Sequence, residues 1–212
     1  MAEIRGLPPG RSGRLWVRQR LSTATRAGTL LDRKLRVLRA EQARLRDREA
    51  QAHAEWTRAY AEARRWMLRS AMVGGERAIR LATPSPTASI ELDWRAVMGV
   101  RYPVVNRVAG PDPQPPRPAG TAAVYPAVSA GTAAVAAAAR HAASAAALAA
   151  VDAEVTATAH RLRAINDRWI PRLEQARSAV DRRLEETERD ETTRLRWADA
   201  HRNGPQRKVA TP

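Results

Sequence analysis

The feature that most constrains this chain is the stretch from Leu15 to Met72, which contains no proline and only one glycine, Gly28. Proline and glycine are the residues that most often end a helix, and Gly74 and Gly75 follow directly. The sequence therefore predicts one long helix over residues 13–75.

Apolar residues recur in this helix with the seven-residue period of a coiled coil. The a positions are Val17, Ala24, Leu31, Leu38 and Leu45, and the d positions are Leu21, Gly28 and Leu35, followed by Gln42, Glu49 and Trp56. The apolar pattern is strongest in the first four heptads and fades beyond them. Because the seam is narrow and the remaining surface is charged, the helix needs one partner helix rather than a broad core.

The C-terminal region, residues 129–201, supplies the predicted partner helix. Its first half is rich in alanine, which favours helix and allows close packing. Its seam residues are Leu162, Ile165, Trp169, Leu173, Val180 and Leu184. Pro171 predicts a kink, unless the helix restarts there with proline in its first turn. Since one chain supplies both helices through a connecting region, they are expected to run antiparallel.

The connecting region, residues 76–128, has a different pattern. Ile90, Leu92 and Trp94 alternate with acidic residues, and Gly99 can turn the chain into "VRYPVV", which predicts a β-hairpin. Pro103 fits an edge strand only. The run "PDPQPPRP" predicts an irregular or polyproline-like loop. Residues 1–12 and 202–212 are expected to be flexible. The predicted fold is all-α: a long antiparallel two-helix coiled coil with a small extended or β-hairpin appendage.

The charge of the chain suggests an anionic partner. The formal net charge is +15 and the pI about 11.5, which first indicates nucleic acid or an anionic membrane surface. Lys34 and Lys208 are the only lysines among 37 basic residues, and such an arginine bias also arises in a high-GC genome. Antiparallel pairing gathers basic residues of both termini at one tip, where no interleaved aromatics are expected as a base-stacking platform.

Residues for catalysis or metal binding are not evident in the sequence. Cysteine is absent, which excludes disulfides and thiol chemistry. The four histidines, His53, His141, His160 and His201, have no second ligand at metal-binding spacing and are expected to be solvated helix residues. No catalytic, cofactor or metal site is predicted, and the chain is expected not to be an enzyme by itself. No signal peptide or membrane span is expected either.

Three segments in order resemble the D subunit of the V-type/A-type rotary ATPases, the central-stalk rotor. The first is "RSGRLWVRQRLSTATRAGTLLDRKLRVL", from Arg11 to Leu38. The second is "AVMGVRYP", from Ala96 to Pro103. The third is "RLRAINDRWIPRLEQARSAVDRRLEETERDETTRLRW", from Arg161 to Trp197. Together they cover about a third of the chain.

The resemblance implies a noncatalytic axle that transmits torque between a nucleotide-binding hexamer and a membrane ion-translocating ring. The implied partners are the A-type and B-type hexamer subunits, a small F-type stalk subunit and a funnel-shaped subunit that caps the ring. The location implied is cytoplasmic, peripheral to the plasma membrane, without cofactors, bound nucleic acid or membrane insertion. The candidate stator-contact tip comprises Arg11, Arg14, Arg18, Arg20, Arg194 and Arg196, and the candidate partner contact on the hairpin comprises Met98, Gly99, Val100 and Pro103.

A second interpretation stays open beside the axle. The chain could be a free-standing basic coiled-coil scaffold that binds nucleic acid or an anionic membrane surface. Salt-sensitive DNA binding without affinity for a nucleotide-binding hexamer would favour the scaffold.

Overall fold

A computed structural model describes residues 6–82, 88–110 and 122–202 of the chain. Helix α1 spans Gly10–Ala82, and strands β1 and β2 span Ser89–Val97 and Val100–Ala109. Helix α2, Val124–Arg163, continues through a six-residue π-helix, Ala164–Trp169, into α3, Ile170–Arg202. The all-α class with long helices and an intervening hairpin is confirmed. The proline-rich loop and most of the predicted terminal tails lie outside the described residues.

Helix α1 is interrupted at one residue. Gly75 has φ 66° and ψ 176°, which are not helical values, and helical geometry resumes beyond it as far as Ala82. Because a side chain is strongly disfavoured at such positive φ, glycine is the residue that permits this break. The helix therefore breaks where the glycine pair predicted its end, and a short helical segment follows.

The chain forms two compact units. The first contains residues 1–32 and 160–212, so it holds the start of α1 together with the π-helix and α3. Val17, Ala24, Leu173 and Val180 are buried in this unit. Arg14 Nε lies 2.8 Å from Asp181 Oδ1. Burial of these small and branched apolar residues between two polar helices is the packing expected of a coiled-coil seam.

The second unit, residues 33–159, holds the rest of α1, the hairpin and most of α2. Its core cluster contains Leu38, Leu45, Tyr102, Ala147 and Val151. Lys34 Nζ contacts Glu154 Oε1 at 2.6 Å, and Glu49 Oε1 contacts His141 Nε2 at 3.0 Å. As residue numbers rise along α1 they fall along α2, so these two helices run antiparallel in this unit.

The heptad positions of α1 continue beyond the point where apolar residues become scarce. Gln42, Glu49 and Trp56, at successive d positions, are all half-buried rather than exposed. Gln42 Nε2 donates a hydrogen bond to Asp152 Oδ1, and Glu49 contacts His141. The seam thus keeps its period while its contacts change from apolar packing to polar pairs across the two helices.

The π-helix changes the predicted seam of the C-terminal helix. Ile165 and Ile170 are half-buried and Leu173 is buried, whereas Trp169 is 39% exposed. The backbone N–H of Ile170 donates to the carbonyl oxygen of Ile165, five residues earlier, so this turn holds one extra residue. Trp169 is the most exposed member of the predicted seam, and the neighbouring Ile170 is more covered. The assignment of Trp169 to the seam stays a prediction.

The wide turn also explains how the helix passes Pro171 without ending. In a regular α-helix a proline ring clashes with the carbonyl four residues earlier, and its missing N–H breaks one hydrogen bond. Here the π-helix ends directly before Ile170, and α3 runs on to Arg202. The predicted alternatives at Pro171 were a kink and a restart, and the structure shows a π turn followed by a continuous helix.

The sequence predicted no membrane span, and one helix has the length and composition of one. Among the described residues, the continuous helix Val124–Arg202 contains an 18-residue window of mean hydropathy 1.4, long and apolar enough to cross a membrane. Only 28% of that window is buried. The alanine-rich part of α2 also contacts α1, because Ala147 and Val151 belong to the core cluster of the second unit.

Candidate functional sites: the hairpin and the basic surface

The hairpin is closed by a two-residue turn at Met98 and Gly99. Their φ angles are 47° and 86°, both in the left-handed region that type I′ turns require. This turn matches the right-handed twist of the two strands, which pair antiparallel with Trp94 opposite Pro103. Gly99 supplies such a φ without a steric cost, whereas Met98 adopts it as a non-glycine residue, at the tip of the hairpin.

One face of the hairpin packs on the two helices. Tyr102 is 4% exposed and belongs to the core with Leu38 and Leu45, and Val97 and Val100 are packed against that core. The contact is made mainly by alternate residues of β2, which share one face of the strand. Val100, a predicted partner-contact residue, is therefore half-covered by the chain itself.

A buried hydrogen bond fixes Tyr102 on α1. Its hydroxyl donates to Glu41 Oε1 at 2.8 Å, and the other carboxylate oxygen, Oε2, accepts from Arg44 Nη1 at 3.0 Å. Glu41 is 8% exposed, so its charge is buried but compensated by both donors. Burial, together with the hydrogen bond to Glu41, raises the pKa of Tyr102 above its ordinary value. The hairpin is thereby attached to the coiled coil by a specific polar contact as well as apolar packing.

The opposite face of the hairpin is apolar and exposed. Ile90, Leu92 and Trp94 are 49%, 47% and 58% exposed, and Met98 at the turn is 45% exposed. The guanidinium of Arg101 lies 5.5 Å from the centre of the Trp94 ring. A run of alternating apolar residues normally marks the face of a strand that is buried. Here these residues lie outside, and β2 supplies the buried contacts.

A shallow groove lies beside the docked face, inside the second unit. It has a volume of about 260 Å³ and is bordered by α1, β2 and α2. Its lining mixes apolar residues such as Leu45 and Pro103 with Arg48, Glu55 and Arg140. Pro103 is half-buried there, opposite Trp94 in the ladder. Of the four predicted contact residues on the hairpin, Met98 and Gly99 are therefore the exposed ones.

The predicted basic tip lies in the first unit. All six arginines are exposed: Arg11, Arg14, Arg18, Arg20, Arg194 and Arg196. Arg14 is paired with Asp181, and Arg11 Nη2 lies 3.8 Å from Glu188 Oε1. The pair of Arg11 with Glu188 is exposed on both sides and contributes little stability, whereas Asp181 is half-buried and holds Arg14 more firmly.

Aromatic residues occur in the same unit, contrary to expectation. The guanidinium of Arg20 lies 5.1 Å from the centre of the Trp16 ring. Trp197 is 64% exposed, and its ring centre lies 4.0 Å from that of His201. The sequence contains both tryptophans, and the spacings Trp16–Arg20 and Trp197–His201 place each pair one helical turn apart.

The prediction that all four histidines are solvated is wrong for His141. This residue is half-buried, contacts Glu49, and stacks on Trp56 with ring centres 5.2 Å apart and an interplanar angle of 2°. His53 and His160 are exposed, as is His201. The i,i+4 spacing of Glu49 and His53 was a readable signal, but His141 is distant in sequence and only the antiparallel pairing brings it there.

Comparison with known proteins agrees with the helical architecture. The family model of the ATP synthase D subunit matches residues 15–200 of this chain. No curated protein matches the chain. The matched region includes both strands, the π-helix and nearly all of the paired helices. Since the match covers most of the chain and agrees with the long antiparallel helices and the intervening hairpin of the described residues, the chain belongs to the family of ATP synthase D subunits, central-stalk components of the V/A-type rotary ATPases.

Proposed function

We propose that this chain is the noncatalytic rotor axle of its ATPase, transmitting torque between the nucleotide-binding hexamer and the ion-translocating ring. The observation that carries the proposal is the family match over residues 15–200. The paired helices support it, because a shaft that carries torque needs two helices joined by a continuous seam. In α1 the seam keeps one heptad register from Val17 to Trp56.

The surface of the chain also suits a shaft that turns inside other proteins. The arginines of the basic tip are exposed, and long-range attraction to acidic residues of a surrounding hexamer needs little fixed geometry. Individual exposed charge contacts are weak. Many weak contacts allow successive orientations to have similar free energies, so rotation is not trapped at one of them.

The exposed face of the hairpin is the second proposed contact. Leu92, Trp94 and Met98 form an apolar surface on an element anchored by the bond between Tyr102 and Glu41. Exposed aromatic and aliphatic residues on a rigid support are typical binding anchors. We assign this surface to a neighbouring subunit of the complex, either the small F-type subunit or a hexamer subunit, with the funnel-shaped subunit as a further partner of the stalk.

The location we propose is the cytoplasmic side of the membrane, as a peripheral part of the complex. The apolar window in helix Val124–Arg202 does not change this proposal, because α2 makes polar contacts to α1. Asp152 Oδ1 lies 3.8 Å from Arg46 Nη2, and His141 contacts Glu49. Transferring these groups into hydrocarbon would be costly.

The direct test is reconstitution with the hexamer subunits of the same organism. Full-length chain should co-elute with the hexamer at moderate salt and should not hydrolyse ATP alone. The variant Trp94→Ala should retain hexamer binding through the helices while weakening the contact of the hairpin with its partner. Tyr125→Ala is the matched control, because Tyr125 is a 70% exposed aromatic residue outside the hairpin. Failure of the unmodified chain to join the hexamer would refute the axle.

The scaffold interpretation has one observation in its favour: tryptophans do lie among the arginines of the first unit. Trp16 beneath Arg20 and the exposed Trp197 could stack on unpaired bases. Binding of single-stranded DNA should then weaken steeply with salt and with Trp197→Ala. Such binding, together with no affinity for the hexamer, would favour the scaffold function over the axle function.

A further inference from the structure

Three potential metal ligands meet where α1 faces α2 in the second unit. Glu49 and His53 lie four residues apart on α1, and His141 lies opposite them on α2. One ligand atom from each residue can be chosen so that all three lie within 4.8 Å of one another. Among the described residues this is the one group of three or more such side chains that meets that criterion. Nothing in the axle function requires it.

The spacing of these residues is chemically suitable for a metal. Residues at i and i+4 share one face of a helix, so Glu49 and His53 project toward the same point. Two imidazole nitrogens and one carboxylate form a donor set used for Zn²⁺ and related divalent ions, with the remaining position open to water. Metal–ligand bonds of about 2.0–2.1 Å put donors of a tetrahedral site roughly 3.3 Å apart.

One of the donor separations is already near that value. His141 Nε2 and Glu49 Oε1 are already 3.0 Å apart, and the ring centres of His53 and His141 are separated by 5.0 Å. His53 is exposed and its ring already contacts the ring of His141, so a small rotation can bring it toward the other two. Since the donors lie within 4.8 Å of one another, a shift of up to about 1.5 Å brings the third donor to the separation that a tetrahedral ion needs.

The surroundings hold the ligand from α2 in place. Trp56 lies one turn beyond Ala52 on α1 and stacks on the His141 ring, which fixes the plane of that imidazole. Glu49 and His141 are both half-buried, so their polar atoms are partly removed from water before any ion binds. Part of the ordering that a metal site requires is thus already present in the folded helix pair.

We propose that Glu49, His53 and His141 bind one divalent transition-metal ion of the Zn²⁺ class and thereby bridge α1 and α2. The ion is held by the His141 imidazole through Nε2, by a Glu49 carboxylate oxygen, and by one nitrogen of His53. Because the site joins two helices that are far apart in sequence, ion binding stabilises their pairing. The role is structural, at a level of the seam where polar residues have replaced the apolar ones.

The test is a titration of full-length, untagged chain with Co²⁺ followed by competition with Zn²⁺. A bound Co²⁺ ion with nitrogen and oxygen ligands in a four- or five-coordinate site gives an intense visible absorption, which Zn²⁺ abolishes by displacement. We expect one ion per chain. Saturating Zn²⁺ should raise the thermal unfolding midpoint by several degrees, because ligands that bind only the folded state stabilise it.

Three variants locate the site. His141→Ala, His53→Ala and Glu49→Gln should each weaken Co²⁺ binding at least about tenfold, since even groups that only orient a metal ligand cost 10–100-fold. His160→Ala is the matched control, because His160 is an exposed helical histidine outside the cluster, and it should bind as the unmodified chain does. Circular dichroism of each variant verifies that it is folded.

Two results would overturn the proposal. One is that the variants His53→Ala and His141→Ala bind one ion per chain as tightly as the unmodified chain does. The ion would then be bound at another place in the protein. The other is Co²⁺ binding so weak that no four- or five-coordinate absorption develops while the unmodified chain is fully folded. Glu49→Gln keeps the size of the side chain, so loss of binding in this variant cannot be ascribed to a packing defect.

Discussion

Replacing Tyr102 by phenylalanine tests how the hairpin is held on the coiled coil. The substitution keeps the aromatic ring against Leu38 and Leu45 and removes only the hydroxyl that donates to Glu41. A hydrogen bond to a charged group contributes about 1.5–3 kcal/mol. Arg44 still donates to the other oxygen of the Glu41 carboxylate, so that group is not left wholly unpaired. We therefore expect the substitution to lower the free energy that holds the hairpin docked by about 1.5–2 kcal/mol, near the lower end of that range.

The assay should distinguish undocking of the hairpin from unfolding of the whole chain. Native-state hydrogen exchange of the strand amides reports the first, and urea unfolding reports the second. A cost of about 1.5–2 kcal/mol corresponds to exchange that is roughly 10- to 30-fold faster if the hairpin undocks locally. In the control Tyr60→Phe the lost hydroxyl belongs to a side chain that is 56% exposed, so a change within about 0.5 kcal/mol is expected.

Comparison of Tyr102→Phe with Tyr60→Phe decides whether the hydrogen bond to Glu41 stabilises the docked hairpin. If Tyr102→Phe changes neither hairpin exchange nor urea stability by more than Tyr60→Phe does, the bond to Glu41 contributes nothing measurable. Docking would then rest on apolar packing alone. A double-mutant cycle with Glu41→Gln separates these cases, because the coupling free energy between the two positions isolates their direct interaction.

Three further changes have expected outcomes. Burial and then the hydrogen bond to Glu41 raise the pKa of Tyr102, so at high pH the native state keeps a proton that the unfolded chain loses. The contribution of Tyr102 to urea stability should be fully present below about pH 10 and be lost as the pH rises above that value, and Tyr102→Phe should flatten this fall. Met98→Asn should stabilise the hairpin by about 0.5–1 kcal/mol, because asparagine tolerates the φ of 47° better than methionine. Hydrogen exchange of the strand amides measures this effect. If no strand amide exchanges more slowly in the variant, the prediction is wrong. A Cβ on Gly28 would lie 3.1 Å from Asn166 Oδ1, which belongs to an exposed side chain that can move. Gly28→Ala should therefore leave thermal stability nearly unchanged, whereas Gly28→Leu should destabilise the fold by about 1–3 kcal/mol. Equal stability of the two variants would show that the helices are not closely packed there.

Leucine-to-alanine changes in the seam provide the scale for these effects. Leu38 is fully buried, and Leu38→Ala should cost about 2–5 kcal/mol, measured by urea unfolding. Leu30, on the same helix but 65% exposed, is the matched control and should change little. A small effect at Leu38 would mean that the two helices contribute little to stability through this seam.

The heptad register of α1 and the turn of the hairpin could be read from the sequence, because both depend on local spacing. The period of 3.5 residues places Val17, Leu38 and even the polar Gln42 on one side of a helix, whatever its partner is. Likewise, Gly99 between two alternating segments favours a tight turn before any tertiary contact forms. These predictions needed only residues that are near one another in the chain.

Other features depended on which residues meet across the fold. Alternation of apolar residues predicted a strand at Ile90, Leu92 and Trp94. Which face of the hairpin is buried depends on the surface against which it packs. Here the face that carries Tyr102 is buried, because Tyr102 bonds to Glu41 on α1. The π turn over Ala164–Trp169, with its exposed Trp169 and half-buried Ile170, was likewise not predicted from local spacing.

The sequence by itself thus determined that two long helices pair and that a hairpin joins them. The tertiary structure alone brought His141 to Glu49 and His53, because a contact between residues 92 positions apart exists only once the helices are paired in one register. Local periodicity specifies which face of a helix is covered. It does not specify which residue of a distant segment covers each position, since that depends on the summed packing of both helices.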